Sequence, residues 1–311
     1  MNKYCFILGI SPRSGTNFLF RLLSLHDDCF GEGPIWEDFF VEHSKGLTQY
    51  SDNVRKKWSA RWGIDDKIGG REKILECLGK GLLTYLDLQC DKREDFTYLI
   101  SKTPSVKQLD NYNLLFPNSK LLLLVRDGRS VISSGEKTFD WGFELSCRYW
   151  VRAAKNIIKY EDENKLNDNY LVVKYENLYQ DIEGELNKIF NFLSISNDSF
   201  SFEKAKSVGF IGSSENRSSK KDKMEWKEVE SKNISDPLTR YSSWSSFRKK
   251  RYHWIAGKYH QRLGYDLDSS YENNFLDKLW NIILDSTILL WLTPNVIYVL
   301  SNKYINTRLE K

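Results

Sequence analysis

A buried strand, a short polar loop and a helix open this chain, and their order constrains the fold more than any other feature. Residues 4–10 are almost all apolar and predict a parallel strand, because strands covered on both faces are continuously hydrophobic. Small and polar residues follow over 11–17, and then leucines recur with helical spacing over 18–25. Such a loop presents its backbone N–H groups at a helix N-terminus and predicts a binding site for a phosphate or sulfate.

Side chains of this loop add to the predicted anion site. Gly15 allows the backbone to approach an anion closely, and Arg13 supplies a planar guanidinium fork. Ser14, Thr16 and Asn17 add hydroxyl and amide groups. An ordinary nucleotide-binding loop of the GxxxxGK[ST] type has a lysine after the glycine, and its absence here disfavours a standard ATPase or kinase. A plain turn with these residues by chance is the alternative.

Further apolar runs predict strands that alternate with helices. Strands are expected at 98–100, 121–125 and 170–175, and helices near 143–162, 182–194 and 246–262. This order is typical of an α/β fold with a P-loop-like parallel sheet flanked by helices. We expect one such domain over residues 1–268 and a helical, apolar C-terminal extension over 269–311.

A second anion site is predicted where the 121–125 strand ends. Arg126 follows that strand directly, and ligands of open parallel sheets bind at the carboxyl ends of the strands. Ser134 comes eight residues later, about two helical turns along. Lys102 lies just past another strand end, on the same expected edge. Two anion sites on one sheet are harder to explain by chance than either alone.

Taken in order, these motifs resemble those of the PAPS-dependent sulfotransferases. The PRSGT sequence at 12–16 is similar to the family's 5′-phosphosulfate loop, and Arg126 with Ser134 matches its 3′-phosphate pair, spacing included. The stretch 101–129 is especially similar to tyrosylprotein sulfotransferases. This resemblance implies transfer of a sulfuryl group from PAPS to an acceptor hydroxyl, with release of PAP.

A carboxylate is the catalytic base that the resemblance implies. Glu32 follows a glycine after the loop helix, as the catalytic glutamate does in tyrosylprotein and bacterial carbohydrate sulfotransferases. The match is imperfect, because tyrosylprotein enzymes have two consecutive glutamates there and the second would fall near Gly33 of this chain. Glu37 is therefore kept as the alternative base. His26 could also act near neutral pH, but the family context of this histidine is structural.

The resemblance assigns roles to other residues. Lys102 matches the lysine that contacts the transferring sulfonate, and Tyr175 is expected near the adenine unless it is a core aromatic. The long polar stretch 207–245 is expected to be a loop that closes over the nucleotide, with Ser214 and Arg217 as contacts. A solvated charged loop is the alternative for this stretch.

Composition limits which binding partners and which cellular compartment we expect. The 46 basic and 42 acidic residues leave a net charge of only +4, so no nucleic acid is expected to bind. Five scattered cysteines and four histidines form no metal-binding motif, and we expect no metal cofactor. Such cysteines and the lack of a signal peptide favour a cytoplasmic protein.

The acceptor and the apolar tail leave alternatives open. A glycan hydroxyl is slightly favoured over protein tyrosine, because the N-terminus lacks the membrane anchor of secretory tyrosylprotein enzymes. Trp36, Trp58 and Trp62 are expected to shape the acceptor pocket, and their rings suit sugar stacking as well as peptide packing. The tail is expected to pack on the domain or on a second subunit in a homodimer; the alternative is an anchor at a membrane surface. The rival functions are a nucleotide-dependent kinase and a non-catalytic nucleotide- or glycan-binding protein.

Overall fold

Five parallel strands form the central sheet of the computed structural model, which describes residues 3–31, 33–58, 60–90, 95–208, 211–212, 227–228 and 238–287. The strands are β1 (Lys3–Gly9), β2 (Cys29–Phe30), β3 (Tyr98–Thr103), β4 (Lys120–Val125) and β5 (Tyr170–Lys174). Their order is β2-β3-β1-β4-β5, so the first strand of the chain is the central one. The strand ends of β1, β3 and β4 are level, because Leu8 pairs with Thr103 and Gly9 pairs with Leu124.

Helices follow the strands in the alternating order that the sequence predicts. They are α1 (Thr16–Ser24), α2 (Lys45–Arg55), α3 (Ile64–Ile68), α4 (Arg71–Asp87), α5 (Tyr112–Leu115), α6 (Gly128–Phe139), α7 (Phe143–Glu163), α8 (Tyr175–Gln180), α9 (Ile182–Leu193), α10 (Phe202–Ser207), α11 (Ser246–Arg262) and α12 (275–287). Short 3₁₀ turns lie at Ala60–Trp62, Leu109–Asn111 and Ser269–Tyr271.

Two hydrophobic cores lie on the two faces of the sheet. Phe6 and Leu8 of β1 belong to the core that α7 and α11 cover, whereas Cys5 and Ile7 belong to the core that α1 and α9 cover. This alternation follows from the period-two geometry of a strand. Because both faces are covered, the carboxyl edge of the sheet is where polar loops reach solvent and can meet a ligand.

The sequence predicted most of this architecture, and the α/β class with its parallel sheet is confirmed. β2 was not predicted, because two residues are too short to give a periodic signal. Tyr175 begins α8 instead of extending β5. Gly264 has a φ of 74° and therefore follows α11 in the left-handed conformation that is common after a helix end. Part of the predicted 207–245 loop forms a small antiparallel pair, β6 (Ile211–Gly212) with β7 (Lys227–Glu228).

The C-terminal extension is helical as far as the structure describes it, over α12. Asp285 of this helix accepts hydrogen bonds from Arg148 of α7 and Trp254 of α11, at 2.7 and 2.9 Å. The extension therefore packs on the α/β domain, whereas its separation as a second domain from residue 269 stays a prediction. Within the described residues, no helix is both long and apolar enough to cross a bilayer.

Candidate active site

The loop between β1 and α1 depends on two glycines at positions that exclude a side chain. A Cβ at Gly9 would overlap the Ser14 hydroxyl and Thr16, and a Cβ at Gly15 would overlap the Tyr175 ring. Gly15 also has a φ of 99°, which glycine adopts without strain. Arg13 adopts a φ of 72° without that freedom, so the surrounding contacts hold the loop in this conformation.

Three guanidinium groups lie together at the carboxyl edge of the sheet, and two of them share one hydroxyl. Arg13 donates from Nε and Arg240 donates from Nη1 to the Oγ of Ser134, both at 3.0 Å. Arg126 donates from Nη1 to the backbone carbonyl of Arg13 at 2.8 Å. Burial, together with the charges of Arg240 and Arg126, lowers the pKa of Arg13 to about 10. Such a partly buried cluster of like charges favours the binding of an anion.

Neighbouring elements fix the second arginine of the cluster. Arg126 ends β4, and its guanidinium carbon lies 4.0 Å from the centroid of the Tyr175 ring. Its backbone carbonyl accepts a hydrogen bond from the Trp150 indole at 3.2 Å. The carboxylate of Asp127, the next residue, accepts a hydrogen bond from the Arg129 N–H at the start of α6 and another from the Arg129 guanidinium. That carboxylate is therefore engaged away from Arg126.

Arg240 is a site residue that the sequence did not reveal. It lies in the predicted 207–245 loop, outside any recognisable motif. Ser130 of α6 donates a hydrogen bond to the Leu238 carbonyl at 3.2 Å, and the Tyr241 ring packs 4.1 Å from the Arg129 guanidinium carbon. These two contacts with α6 bring the segment back to the sheet edge.

Lys102 lies at the end of β3 with only 1% of its surface exposed. Its Nζ is 3.6 Å from a carboxylate oxygen of Glu37 and 4.4 Å from the centroid of the Trp36 ring. The ion-pair distance is too long for a hydrogen bond, and among the described residues the Nζ has no hydrogen-bond partner. Burial lowers the pKa of Lys102 to about 8 against the opposing attraction of Glu37.

The segment that carries Glu37 is tied to β3 beside Lys102. Asp38 accepts a hydrogen bond from the Ser101 hydroxyl at 2.6 Å, and the Phe39 N–H donates to the Thr103 hydroxyl at 3.0 Å. Burial raises the pKa of Glu37, and Lys102 opposes that rise. Glu37 therefore lies at the same edge as Lys102, although Glu32 was the first choice from the sequence.

Buried polar atoms without partners indicate where a ligand would bind. Within the described part of the chain, the hydroxyls of Ser14 and Ser133 and the Oδ1 of Asn17 have no hydrogen-bond partner. Unsatisfied buried groups are costly in a folded protein and are commonly satisfied by a ligand or by water. The hydroxyls, Lys102 and the arginine cluster together suit a ligand with more than one anionic group, as a phosphosulfate nucleotide is.

The structure thus brings together Arg13, Arg126, Ser134 and Tyr175, and it places Lys102 on the neighbouring strand. Ser14, Gly15, Thr16 and Asn17 lie in the loop or the first turn of α1. His26 lies elsewhere, bonded to the Ser196 carbonyl at 2.8 Å and stacked on Phe200. Glu32, Ser214 and Arg217 lie outside the described residues. No described group of three or more histidine, cysteine or acidic side chains could hold a metal ion.

Comparisons with known proteins give one consistent result. The model of the "Sulfotransferase family" matches residues 5–199. Protein-tyrosine sulfotransferase 2 of Gallus gallus is 30% identical over 203 residues, which cover 61% of this chain and 51% of the relative. Protein-tyrosine sulfotransferase 1 of Danio rerio is 29% identical over 201 residues, 61% of this chain and 52% of the relative. The chain therefore spans about half the length of these relatives.

A solved structure supports the fold. The sulfotransferase domain of the Synechococcus PCC 7002 olefin synthase superposes with a TM-score of 0.52 at 21% identity. The superposition covers 86% of this chain and 96% of that domain. At this identity the similarity concerns the fold alone.

Proposed function

Since this chain belongs to the sulfotransferase family, we propose that it transfers a sulfuryl group from PAPS to an acceptor hydroxyl and releases PAP. The observation that carries the proposal is the cluster of Arg13, Arg126 and Arg240 around Ser134. It lies at the strand ends of β1 and β4, one strand away from the buried Lys102.

Different parts of the cluster would hold the two ends of the nucleotide. Arg126, Arg240 and Ser134 would bind the 3′-phosphate. Arg13 and the loop over 14–17 would bind the phosphosulfate end, where backbone N–H groups at the start of α1 add to the positive potential. Tyr175 packs against both Gly15 and Arg126, and its contact with adenine stays a prediction.

Lys102 and Arg13 would stabilise the transition state by their charge. PAPS would supply the sulfuryl group. As the bond between sulfur and the bridging oxygen breaks, negative charge would develop on that oxygen of the departing PAP. Fixed cations in a buried site stabilise such charge better than water does, because they need no reorganisation. With a pKa of about 8, Lys102 is mostly protonated at pH 7 and can act as such a cation.

A glutamate would take the proton from the acceptor hydroxyl. We propose Glu32 from its motif, with Glu37 as the alternative because it lies 3.6 Å from the Lys102 amine. Glu32→Gln and Glu37→Gln, assayed with radiolabelled PAPS, separate the two. Loss of turnover with retained PAP affinity identifies the base. If Glu37→Gln alone shows that pattern, Glu32 is not the base.

The acceptor pocket is expected beside Trp36. This ring is 37% exposed and lies next to Lys102, so it offers a plane for a sugar or a phenol. Such a plane does not separate the two, and a glycan hydroxyl, which the sequence favours, is the first acceptor to test. Peptidyl tyrosine is the second, because the relatives from Gallus gallus and Danio rerio are named protein-tyrosine sulfotransferases.

Calorimetric titration of PAP tests the proposal directly. Arg126→Ala should weaken PAP binding by at least about tenfold, since one charge-assisted contact to an anion is lost. Arg262→Ala is the matched control, because Arg262 is exposed and pairs with Asp162 away from the site. Unchanged affinity in Arg126→Ala would refute the assignment, and a thermal shift by ATP instead of PAP would favour the kinase.

A further inference from the structure

The C-terminal helix α12 packs on the domain through polar residues. Asp277, Asn281 and Asp285 are spaced four residues apart and so share one face of the helix. Lys250 donates to Asp277 at 2.6 Å, and Arg251 donates to the Asn281 side chain at 2.8 Å. Asn281 is buried, although asparagine rarely is.

A buried arginine fixes the rotation of this helix. Arg251 of α11 is 1% exposed and donates to both carboxylate oxygens of Glu144 on α7, at 2.7 and 2.9 Å. Its Nη2 also donates to Asp285 at 2.6 Å. Turning α12 about its axis would break the bonds to Asn281 and Asp285 and leave the buried Arg251 with Glu144 as its remaining partner, which is unfavourable.

The opposite face of α12 is apolar and exposed. Its six side chains are between 46% and 79% exposed: Phe275, Leu276, Leu279, Trp280, Ile282 and Ile283. We call these residues the apolar face. Surface helices of soluble domains have the reverse arrangement, with apolar residues inward. A contiguous exposed apolar patch marks an interaction site.

A basic groove of about 470 Å³ lies at the carboxyl end of the same helix. Arg148, Arg152 and Lys155 of α7 line it, with Asp285 as its single acidic residue. Asp285 is bonded to Arg148, whereas Arg152 and Lys155 form no ion pair with any residue that the structure describes. In the sequence, α12 continues into an uncharged run that extends over 286–302.

We propose that the apolar face and the basic groove dock this protein on the surface of an anionic lipid bilayer. Exposed apolar side chains beside cations are the elements of an interfacial helix, and Trp280 suits the headgroup level. Arg152 and Lys155 would meet lipid phosphates. A second copy fits less well, because the apolar face that a two-fold contact would bring against itself has no acidic side chain for Arg152 and Lys155. This inference does not depend on the proposed reaction.

Vesicle co-sedimentation of the full chain tests the docking surface. The wild type should bind phosphatidylcholine vesicles that contain about 30% phosphatidylglycerol, and about tenfold more weakly to phosphatidylcholine alone. The triple variant Leu276→Ser, Trp280→Ser and Ile283→Ser should partition at least about tenfold less onto the anionic vesicles. Arg152→Gln with Lys155→Gln should bind both vesicle types equally weakly.

Controls separate docking from folding and from other partners. Leu166→Ser removes a fully exposed leucine outside the apolar face and should bind as the wild type does. Circular dichroism and thermal unfolding should be alike in all variants. A wild type that stays in the supernatant, or a triple variant that binds as well as the wild type, overturns the proposal. Light scattering that shows a dimer without lipid, dissociated by the triple variant, assigns the face to a second copy and overturns it too.

Discussion

Replacing Lys102 by methionine should stabilise the unliganded protein while it abolishes turnover. The two side chains have similar length, but methionine brings no charge into a position that is 1% exposed. The folded-state pKa of Lys102 is about 8, whereas the pKa of a lysine in water is ordinarily 10.5. The protonated amine therefore destabilises the folded state wherever it is charged, and methionine removes that cost.

The size and pH dependence of the effect follow from the two pKa values. Below pH 8 both states bind the proton, and a difference of about 2.5 units corresponds to about 3 kcal/mol. Between pH 8 and 10.5 the unfolded state binds more protons than the folded state, so the wild type gains stability as pH rises. The advantage of Lys102→Met should therefore be about 3 kcal/mol at pH 7, about 2 kcal/mol at pH 9 and close to zero above pH 10.5.

Urea unfolding followed by tryptophan fluorescence at pH 7 and pH 9 measures this difference. Lys107→Met is the matched control, because Lys107 is exposed and pairs with Glu42. Its stability should stay within about 1 kcal/mol of the wild type at both values. Two results would refute this reasoning: a Lys102→Met variant that is less stable than the wild type at pH 7, or one whose advantage does not shrink at pH 9. Either would show that the protonated amine does not destabilise the folded state.

Two further substitutions test the loop and the C-terminal helix. Gly15→Ala should lower both PAP affinity and the melting temperature, because the new Cβ overlaps the Tyr175 ring at a positive φ; calorimetry and thermal unfolding measure both, and an unaltered affinity would contradict the assigned role of the loop. Arg251→Met should lower the free energy of unfolding by about 2 kcal/mol, since Glu144 and Asp285 lose its charge-assisted hydrogen bonds but keep Arg148. Hydrogen exchange should then become faster throughout α12, and unchanged protection there would contradict the anchoring.

Local patterns in the sequence predicted the sheet and the motifs, and the family match confirms the resemblance. Four of the five strands of the sheet were predicted because buried parallel strands are continuous apolar runs, and the anion loop was predicted because its glycine and arginine follow such a run. Arg240 was missed because its role depends on the return of a distant segment to α6, which no local pattern encodes.

The surroundings of the predicted residues could not be predicted from the sequence either. The length and charge of Lys102 gave no sign that its amine would be buried without a hydrogen bond. The apolar residues of α12 were recognised, but not that they point away from the domain, because that orientation is set by the bonds of Arg251 to other helices.

The hydrogen bond from Arg126 to the Arg13 carbonyl links the two halves of the proposed anion site. The acceptor of this bond is a backbone atom, so side-chain substitutions within the loop leave it in place. Substituting Arg126, in contrast, changes one half directly and frees the backbone of the other. A ligand bound to either half should favour the conformation that the other half needs for binding. Each ligand should then raise the affinity for the other by the same factor. Fragments of the nucleotide would thus bind more tightly as a pair than their separate affinities indicate.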